Sequence, residues 1–396
     1  MNSRPTGPVS SWWRRVKRRE RHAILTTAAV SVVVVLLAIL VVVYPEQRQH
    51  TPEVIGGSTP VGTALYLDPH MQSITAARED SRFDPIARTP QAKWFTDWST
   101  PATARSDVSE YLAGAAAANA VPVLVLYRLP TRDCGPIVES GGARDEQEYK
   151  AWVDGVAAAL MGHDEAMVII EPDALPGLPC QQDDRLSVLS YAVDALSTTG
   201  ARVYVDAGHE NWWPAAEIAD RLKRVGVDKI AGFSLNVANF YPVEGEVRFA
   251  ESVRSELSKL GITDSHYVID IGRNGAGPQD SPCNPPGARL GKPPRLFQGG
   301  ALDGLLWVKN PGQTDGPCRG GPDSGFWAPA ALSLLGLEAD QATSSRGDAT
   351  WVLLVAACGL AAAGLLCWAG VGRRRTGCRC RSALRQGKNR SSSSRN

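Results

Sequence analysis

Acidic side chains follow the apolar runs of this sequence, at the points where those runs end. The run "MVII" is typical of a buried strand, and Glu171, Pro172 and Asp173 follow it at once. Burying a carboxylate at that position costs free energy unless another group pairs with it or it has a function there. The alternative is that these acids only cap the next helix. The polar residues at the ends of the apolar runs are Asp68, Asp133, Asp173, Asp206, Asn236, Asn239, Asp270 and Asp315.

Aromatic residues lie beside several of the same ends. Examples are Trp212, Trp213 and Trp307, whereas the whole chain has only six histidines. Carboxylates combined with aromatic rings favour a sugar ligand, because the C–H faces of a sugar stack on rings. Hydrolysis of a glycosidic bond needs two carboxyl groups, one kept protonated and one ionised. These residue types therefore predict a site suited to glycoside hydrolysis.

The elements that carry these residues alternate between strands and helices. Alternation predicts an α/β domain with a parallel sheet, and continuous apolar runs predict burial on both faces of that sheet. Seven units predict a closed or nearly closed β/α barrel, in which the working residues lie at the carboxyl ends of the strands. A doubly wound open sheet is the alternative, although no GxGxxG follows the first strand. The seven predicted strands lie in residues 64–69, 121–130, 166–172, 202–208, 232–240, 267–275 and 305–312.

The charge of the chain is distributed unevenly. The formal net charge is +1, of which residues 1–22 contribute +6 and residues 373–396 contribute +9, so the remainder carries −14. An acidic body argues against nucleic acid as a partner, because phosphate binding needs a basic face.

Two apolar segments lie next to the basic tails. Residues 23–44 carry no charge and are long enough to cross a bilayer. Since no small-residue cleavage site follows them, we expect an uncleaved anchor rather than a cleaved signal peptide. Residues 351–372 precede "RRR" and predict a second span, with an amphiphilic tail as the alternative. By the positive-inside bias both termini lie in the cytoplasm, and the body lies outside the cell membrane.

These boundaries predict a simple domain order. In sequence, the order is a basic tail (1–22), a span (23–44), a linker (45–62), the catalytic domain (63–340), a linker (341–350), a span (351–372) and a basic tail (373–396).

Four of the eight cysteines lie in the body, at positions 134, 180, 283 and 318. An even number in an exported domain suggests disulfides, but spacing alone does not determine their pairing. No cysteine group has zinc-ligand spacing, so neither a metal nor another cofactor is predicted.

The motifs of the body resemble glycoside hydrolase family 6, the inverting β-1,4-glucanases that include cellulases. The resemblance covers most of the body in order, through "YLDP", "VLYRLPTRDCG", "SGGA", "IIEPDALP", "VYVDAGHENWW", "LNVANFY", "IGRNGAGP", "CNPPGARLG" and "WVKNPGQTDGPC". It implies a distorted β/α barrel of seven strands.

The resemblance also implies catalytic roles. Asp173 matches the acid that protonates the leaving oxygen, and Asp133 matches a carboxylate that tunes the acid and helps to organise the attacking water. Asp315 matches the proposed base, although a chain of water molecules is an alternative route for the proton. Tyr127 matches a tyrosine against the distorted sugar. Ser140 matches a serine that holds the water, with Glu139 as the alternative. An inverting site places acid and base about 6.5–9.5 Å apart.

Further positions match substrate contacts or disulfides of the family. The substrate-contact positions are Asp206, His209, Trp212, Asn236, Trp307 and Lys309. The implied disulfides are Cys134–Cys180 and Cys283–Cys318. Two departures point away from plain cellulose: Ser281 and Pro282 replace an aromatic platform, and Arg128 stands where the family has a neutral or acidic residue.

Three functions are consistent with the sequence. The first is a membrane-tethered, internally cutting β-1,4-glucanase, whose partners are a glucan and the lipid bilayer. The second is a carbohydrate-binding or sensor protein on a weakened barrel, which the retention of Asp133, Asp173 and Asp315 disfavours. The third is a glycosidase for an endogenous envelope glycan. The oligomeric state stays open.

Overall fold

The computed structural model describes residues 55–130, 141–178 and 182–337. Asp133, Cys134, Ser140 and Cys180 lie outside these ranges, as do both predicted membrane spans and both basic tails. Within the described ranges, no helix combines the length and apolar character that crossing a membrane requires.

The described residues contain nine strands and eight α-helices, which alternate from β2 to β7. The strands are β1 (Thr59–Val61), β2 (Lys93–Phe95), β3 (Val123–Leu126), β4 (Met167–Ile170), β5 (Arg202–Asp206), β6 (Gly232–Leu235), β7 (His266–Asp270), β8 (Arg295–Gln298) and β9 (Leu302–Leu306). The helices are α1 (Gln72–Glu79), α2 (Asp84–Ala87), α3 (Ala104–Ala117), α4 (Glu146–Leu160), α5 (Gln182–Ser197), α6 (Ala215–Val225), α7 (Val243–Lys259) and α8 (Ala328–Leu335).

The strands form one curled sheet in the order β1-β8-β9-β7-β6-β5-β4-β3-β2. Neighbours from β2 to β7 are parallel, and β9 continues that direction beside β7. The strand β8 runs antiparallel to both β9 and β1. Because β1 and β2 are the two edges of the sheet in the described residues, the architecture is an open half-barrel with mixed strands.

The prediction of seven parallel strands is therefore right for the centre of the sheet and wrong at its edges. Six predicted runs overlap strands, although the run 305–312 shares only its first two residues with β9. Residues 64–69 make only a bridge between Leu65 and Val121. The strands β1, β2 and β8 were not predicted. Their residues are partly exposed and mixed in type, so none of the three forms a continuous buried apolar run.

The central strands explain the continuous apolar runs. In β4, Val168 and Ile170 pack in a cluster with residues of the surrounding helices, whereas Met167 and Ile169 pack in a second cluster made largely by the strands. Alternate residues point to opposite faces of a strand. Since both faces of β4 are covered by apolar neighbours, every residue of "MVII" is buried.

Local signals define where the helices begin and end. Asp145 precedes α4, and its carboxylate accepts a hydrogen bond from the Glu148 backbone N–H at 2.8 Å, as in a helix N-cap. Gly226 ends α6 in the left-handed conformation, which glycine adopts without a Cβ penalty. These ends fix the entry and exit of the chain on the helical side of the sheet.

A cluster of polar groups lies inside the half-barrel, toward the amino ends of the strands. The Tyr204 hydroxyl donates to Asp303 Oδ2 at 2.6 Å, and His266 Nδ1 lies 2.9 Å from Asp303 Oδ1. The hydrogen bond with Asp303 raises the pKa of His266, and this effect outweighs partial burial, which lowers it. The cluster therefore favours a charged histidine in the folded protein.

We predict that His266→Gln removes a pH-dependent part of the free energy of unfolding. Because the folded-state pKa lies above the unfolded value of about 6.5, the charged histidine stabilises the fold fully below that pH. The contribution is lost as the pH rises through the folded-state pKa. Urea unfolding on either side of neutrality should show a smaller loss of stability with rising pH in the variant than in the wild type.

The matched control is Asp264→Asn. Asp264 Oδ1 lies 3.6 Å from His266 Nε2 and raises the pKa of His266 less than Asp303 does. Its side chain is 97% exposed, so solvent screens the charge, and this change should alter the pH dependence much less than His266→Gln does. The same pH dependence in the wild type and in His266→Gln would contradict the assignment.

Candidate active site

A cavity of about 220 Å³ lies at the carboxyl ends of the strands. It is lined by Trp94, Tyr127, Pro172, Asp173, Ala238, Asn239, Pro282, Cys283, Lys309 and Asp315. The cavity thus brings together four residues that the sequence predicted for the site: Tyr127, Asp173, Lys309 and Asp315. The positions of Asp133 and Ser140 lie outside the described residues.

Three buried carboxylates support the loops around this cavity. Glu171, after β4, accepts hydrogen bonds from the backbone N–H groups of Arg128 and Leu129 at 3.0–3.1 Å. Asp206 ends β5, and Asp270 ends β7. Each of the three is almost fully buried, so their charge is compensated by hydrogen bonds and neighbouring groups rather than by water.

Asp270 connects several of these loops. Its carboxylate accepts hydrogen bonds from the backbone N–H groups of Ala238, Gly272, Val308 and Lys309, at 2.9–3.1 Å. Burial raises the pKa of Asp270, although the four donors act in the opposite direction. One side chain therefore joins the loops that follow β6, β7 and β9.

The backbone is strained at non-glycine residues in two loops at the cavity, after β4 and after β6. Glu171, Asp173, Asn236 and Ala238 have positive φ angles of 49°, 66°, 63° and 59°. Such conformations cost on the order of 1–3 kcal/mol each and persist only where surrounding bonds impose them. At Asp173 the imposing bond is visible, since its backbone N–H donates to Asp206 Oδ1 at 3.0 Å.

Asp206 lies behind Asp173 and is only 1% exposed. Besides the Asp173 N–H, it accepts hydrogen bonds from the Ser234 hydroxyl at 3.0 Å and the Gly208 N–H at 3.2 Å. Burial, followed by repulsion from the Asp173 carboxylate, raises the pKa of Asp206 well above its ordinary value. Because such repulsion acts on both partners, the two carboxyls together retain a proton more readily than separate aspartates would.

Asp315 has the opposite surroundings. Both of its oxygens accept hydrogen bonds from Arg273 Nη1 at 2.8 Å, and Lys309 Nζ lies 3.5 Å from Oδ1. Burial alone would raise the pKa of Asp315, but Arg273 and Lys309 outweigh burial and lower it. Asp315 is therefore held ionised. Arg273 was not predicted, and "IGRNG" at the end of β7 was the signal that could have identified it.

The predicted disulfide between Cys283 and Cys318 is confirmed. Next to it, the Asn284 N–H donates to Asp315 Oδ2 at 2.9 Å, and the Asp315 N–H donates to Asn284 Oδ1 at 2.8 Å. The disulfide and this reciprocal pair hold the segment of Asp315 against the loop that follows β7. The partners of the other predicted disulfide, Cys134 and Cys180, lie outside the described residues.

Aromatic rings line the cavity and its surroundings. Tyr127 packs edge-to-face against Trp94, with ring centroids 5.4 Å apart, and the Trp94 indole N–H donates to the Val308 carbonyl at 2.7 Å. Trp94 was not predicted as a site residue, because the three-residue strand that carries it was missed. Lys309 Nζ lies 5.8 Å from the centroid of the Trp94 ring.

A second aromatic group follows β5. His209 stacks on Tyr241 with ring centroids 4.4 Å apart, and the exposed Trp212 lies 5.3 Å from the histidine ring. Burial lowers the pKa of His209 to about 4, so this ring is neutral at neutral pH. A contact of His209 or Trp212 with substrate stays a prediction.

Two other predicted contact residues are buried beneath the surface. The Asn236 amide donates to the carbonyls of Tyr241 and Asp270 and accepts from the Tyr241 N–H, and the Trp307 indole donates to the Lys292 carbonyl. The structure thus places Asn236 and Trp307 as supports of the loops. Their contact with substrate also stays a prediction.

The two departures noted in the sequence differ in their positions. Arg128 is buried, and its guanidinium pairs with Glu148 at 2.6 Å and Asp97 at 3.5 Å, so it joins structural elements beside the cavity. Pro282, in contrast, lines the cavity itself. Within the described part of the chain, no group of three or more His, Cys, Asp or Glu residues could hold a metal ion.

Comparison with known proteins gives consistent matches. The model of the family described as "Glycosyl hydrolases family 6" matches residues 64–334. Endoglucanase A of Cellulomonas fimi is 40% identical over 273 residues, which cover 67% of this chain and 59% of that protein. Endoglucanase A of Thermobispora bispora is 38% identical over 269 residues, covering 64% and 58%. The chain thus spans about three fifths of the length of these curated relatives.

A solved structure matches the same region. It is the endoglucanase Cel6 of Mycobacterium tuberculosis in complex with methyl-cellobiosyl-4-deoxy-4-thio-β-D-cellobioside. The match has a TM-score of 0.65 and 41% identity, and covers 69% of this chain and 97% of that chain.

We predict that Arg273→Gln raises the pKa of Asp315 and destabilises the fold. Removing one partner of a buried ion pair typically costs about 3–5 kcal/mol, because the other charge remains buried. Folding lowers the pKa of Asp315. The ion pair therefore stabilises the protein fully at pH values above the unfolded-state pKa of about 4, and this stabilisation is lost as the pH falls through the folded-state pKa. Carboxyl NMR titration and urea unfolding would measure the two effects.

The matched variant is Arg273→Lys, which keeps the charge and should keep most of the lowered pKa. An Asp315 pKa that is the same in the wild type and in Arg273→Gln would contradict the account of this pair.

Proposed function

The chain belongs to glycosyl hydrolase family 6, and from this membership we propose that it hydrolyses β-1,4-glucosidic bonds in cellulose-like polysaccharides, with inversion at the anomeric carbon. One observation carries the proposal. Asp173 and Asp315 line the same cavity, but Asp173 lies against the carboxyl of Asp206, whereas Asp315 lies against the cations Arg273 and Lys309. A carboxyl beside another carboxyl and a carboxyl beside two cations are environments of opposite kind, which suit an acid and a base.

The mechanism uses these two environments. Asp173 donates its proton to the glycosidic oxygen as the bond to the leaving sugar breaks. Water attacks the anomeric carbon from the opposite face, and its proton passes to Asp315, either directly or through further water molecules. Tyr127 contacts the sugar at the cleaved bond, and Asp133 helps to tune the acid and organise the water.

The relatives support a glucanase rather than a pure binding protein. The two curated relatives named above are called endoglucanases, and the solved neighbour is an endoglucanase in complex with a thio-linked cellobioside. A carbohydrate-binding protein on the same fold has no need for an aspartate fixed by Arg273 and Lys309 beside Asp173. A glycosidase for an envelope glycan would use the same machinery and differ only in the sugar chain it accepts.

We also propose that the enzyme is tethered to the cell membrane, with the catalytic domain outside and both termini in the cytoplasm. The support is the two uncharged apolar segments at residues 23–44 and 351–372 and the basic tails beside them. Reporter fusions at Asn2 and Asn396 test this topology. A reporter that is active outside the cell at either end would overturn it.

We predict that Asp173→Asn lowers turnover of a soluble β-1,4-glucan by about 10²–10⁴-fold, because a positioned general acid typically contributes that factor. The free energy of unfolding should change little. The control is Asp164→Asn, the same chemical change at an exposed residue near the amino end of β4. Near-normal turnover by Asp173→Asn on an unactivated glucan would exclude Asp173 as the acid.

We predict that the enzyme cuts glucan chains internally. In the sequence, "SGGARDEQEYK" runs almost directly into α4, which begins at Glu146, and this supports a loop too short to roof the cavity. Pro282 offers no aromatic platform to retain a product after cleavage. The viscosity of a soluble glucan should therefore fall much faster than reducing ends accumulate. Proportional changes, with a disaccharide dominating from the start, would indicate processive action from chain ends.

A further inference from the structure

A cavity of about 370 Å³ lies between the start of α7 and the strands β8 and β9. Among the described residues, it shares no lining residue with the catalytic cavity. Its apolar lining includes Leu305 of β9, which packs with the helices, so the cavity is on the helical side of the sheet. Ile55, Val243 and Leu290 also line it and are only partly buried. We call this cavity the α7–β8 groove.

The first described residue of the domain, Ile55, lies at this groove. Ile55 and Ser58 form an antiparallel bridge, with backbone hydrogen bonds of 3.1 and 2.8 Å. Gly56 and Gly57 between them have φ angles of 53° and 78°. Positive φ at both central residues is typical of the two-residue turn that joins antiparallel strands. The turn therefore directs the residues before Ile55 antiparallel to β1, which follows Ser58.

The register of β1 shows where such a path leads. Val61 at the end of β1 lies opposite Leu296 of β8, so Arg295 lies one residue further in the same direction. A segment that runs back from Ile55 beside β1 therefore leads toward Arg295. Residues two apart in an extended chain point to the same side. Because Ile55 lines the groove, an extended segment would direct Glu53 into it as well.

The charges of the groove match an acidic side chain at that position. Lys292 and Arg295 line the groove, and Glu244 is the only acid among its described lining residues. The Arg295 guanidinium lies 5.4 Å from the centroid of the Phe297 ring, so the cation is held beside β8. Residues 51–54 read "TPEV", in which Glu53 is the only charged residue. A carboxylate and a guanidinium form strong, geometrically specific hydrogen bonds.

We propose that residues 51–54 dock in the α7–β8 groove as an extended segment, with the Glu53 carboxylate paired with Arg295 and Lys292. The groove is then a surface for the chain's own segment before the catalytic domain. Docking leaves residues 45–50 as the spacer to the proposed span at residues 23–44, which is at most roughly 20–25 Å of extended chain. This short tether rests on the proposed membrane anchoring, whereas the docking rests neither on the anchoring nor on glucan hydrolysis.

Zero-length cross-linking with a carbodiimide tests the contact in the full-length protein in detergent micelles. The reagent joins a carboxylate to an amine only when the two are in contact, so mass spectrometry should find Glu53 joined to Lys292 in the wild type. In Arg295→Glu the reversed charge repels Glu53. The yield should fall by about 2–5-fold, since an exposed ion pair changes a population by a factor of up to about 5. Adding Glu53→Lys to Arg295→Glu should restore docking, which is detected as a link between positions 53 and 295.

The matched control is Glu46→Lys, the same charge change seven residues earlier in the chain. It lies in the spacer and should leave the link between Glu53 and Lys292 unchanged. Urea unfolding of each variant excludes a loss of folded protein as the cause of a lower yield. Neither Glu53 nor Arg295 is among the residues that line the catalytic cavity, so the hydrolysis of a soluble glucan should stay as in the wild type.

The outcomes separate this proposal from the proposed function. The absence of a link between Glu53 and Lys292 in folded wild type, or an equal link from Glu46, would overturn the docking. An unaltered yield in folded Arg295→Glu would also overturn it. A link found only between two molecules, with a yield that rises with protein concentration, would assign the groove to a second copy and contradict the proposal. A wild type that shows the intramolecular link but cleaves no glucan would contradict the proposed function alone.

Discussion

The loops at the carboxyl ends of the strands depend on the buried carboxylates of Glu171, Asp206 and Asp270. Each accepts hydrogen bonds from backbone N–H groups of the neighbouring loops. A buried donor without a partner costs about 1–3 kcal/mol, so an acceptor that satisfies several donors fixes several loops at once. These buried carboxylates therefore position the loops that form the walls of the cavity.

The same constraint creates the chemistry of the site. Asp206 accepts a hydrogen bond from the backbone N–H of Asp173. This contact brings the two carboxyls close enough to repel each other. On the opposite wall, Asp315 is held by Arg273, whose guanidinium also donates to the carbonyl of Ala238. The hydrogen bonds that hold the loops and the charges that act on the two site carboxyls thus come from the same side chains. For this reason, a substitution at a buried support should alter protonation as well as shape.

The sequence predicted the parts of the fold that carry a strong local pattern. The runs around β4 and β5 have buried residues on both faces, and their strand-end aspartates follow from the same pattern. The edge strands β1 and β2, and β8 beside β1, are partly exposed and carry no such pattern. Consequently Trp94 was missed. Arg273 and Asp315 are 42 residues apart, so their pairing depends on the curl of the sheet and not on any local motif.

The buried positions of Asn236 and Trp307 show a second reason why sequence could not complete the site. A motif identifies which residues accompany a function, but it does not separate a side chain that contacts the ligand from one that supports the loop beneath it. That distinction depends on exposure and on hydrogen-bond partners, which are three-dimensional properties. Asp206 is the clearest example, since its carboxyl is used by Asp173, Gly208 and Ser234.

The central claim is that Asp173 and Asp315 act on opposite faces of one glycosidic bond, and the anomeric form of the first product tests it most directly. Proton NMR would follow a soluble β-1,4-linked oligosaccharide with the full-length protein, at early times before mutarotation. Inversion predicts that the α-anomer of the new reducing end appears first. Initial accumulation of the β-anomer would contradict it, because retention requires a covalent intermediate on a carboxylate instead of direct attack by water.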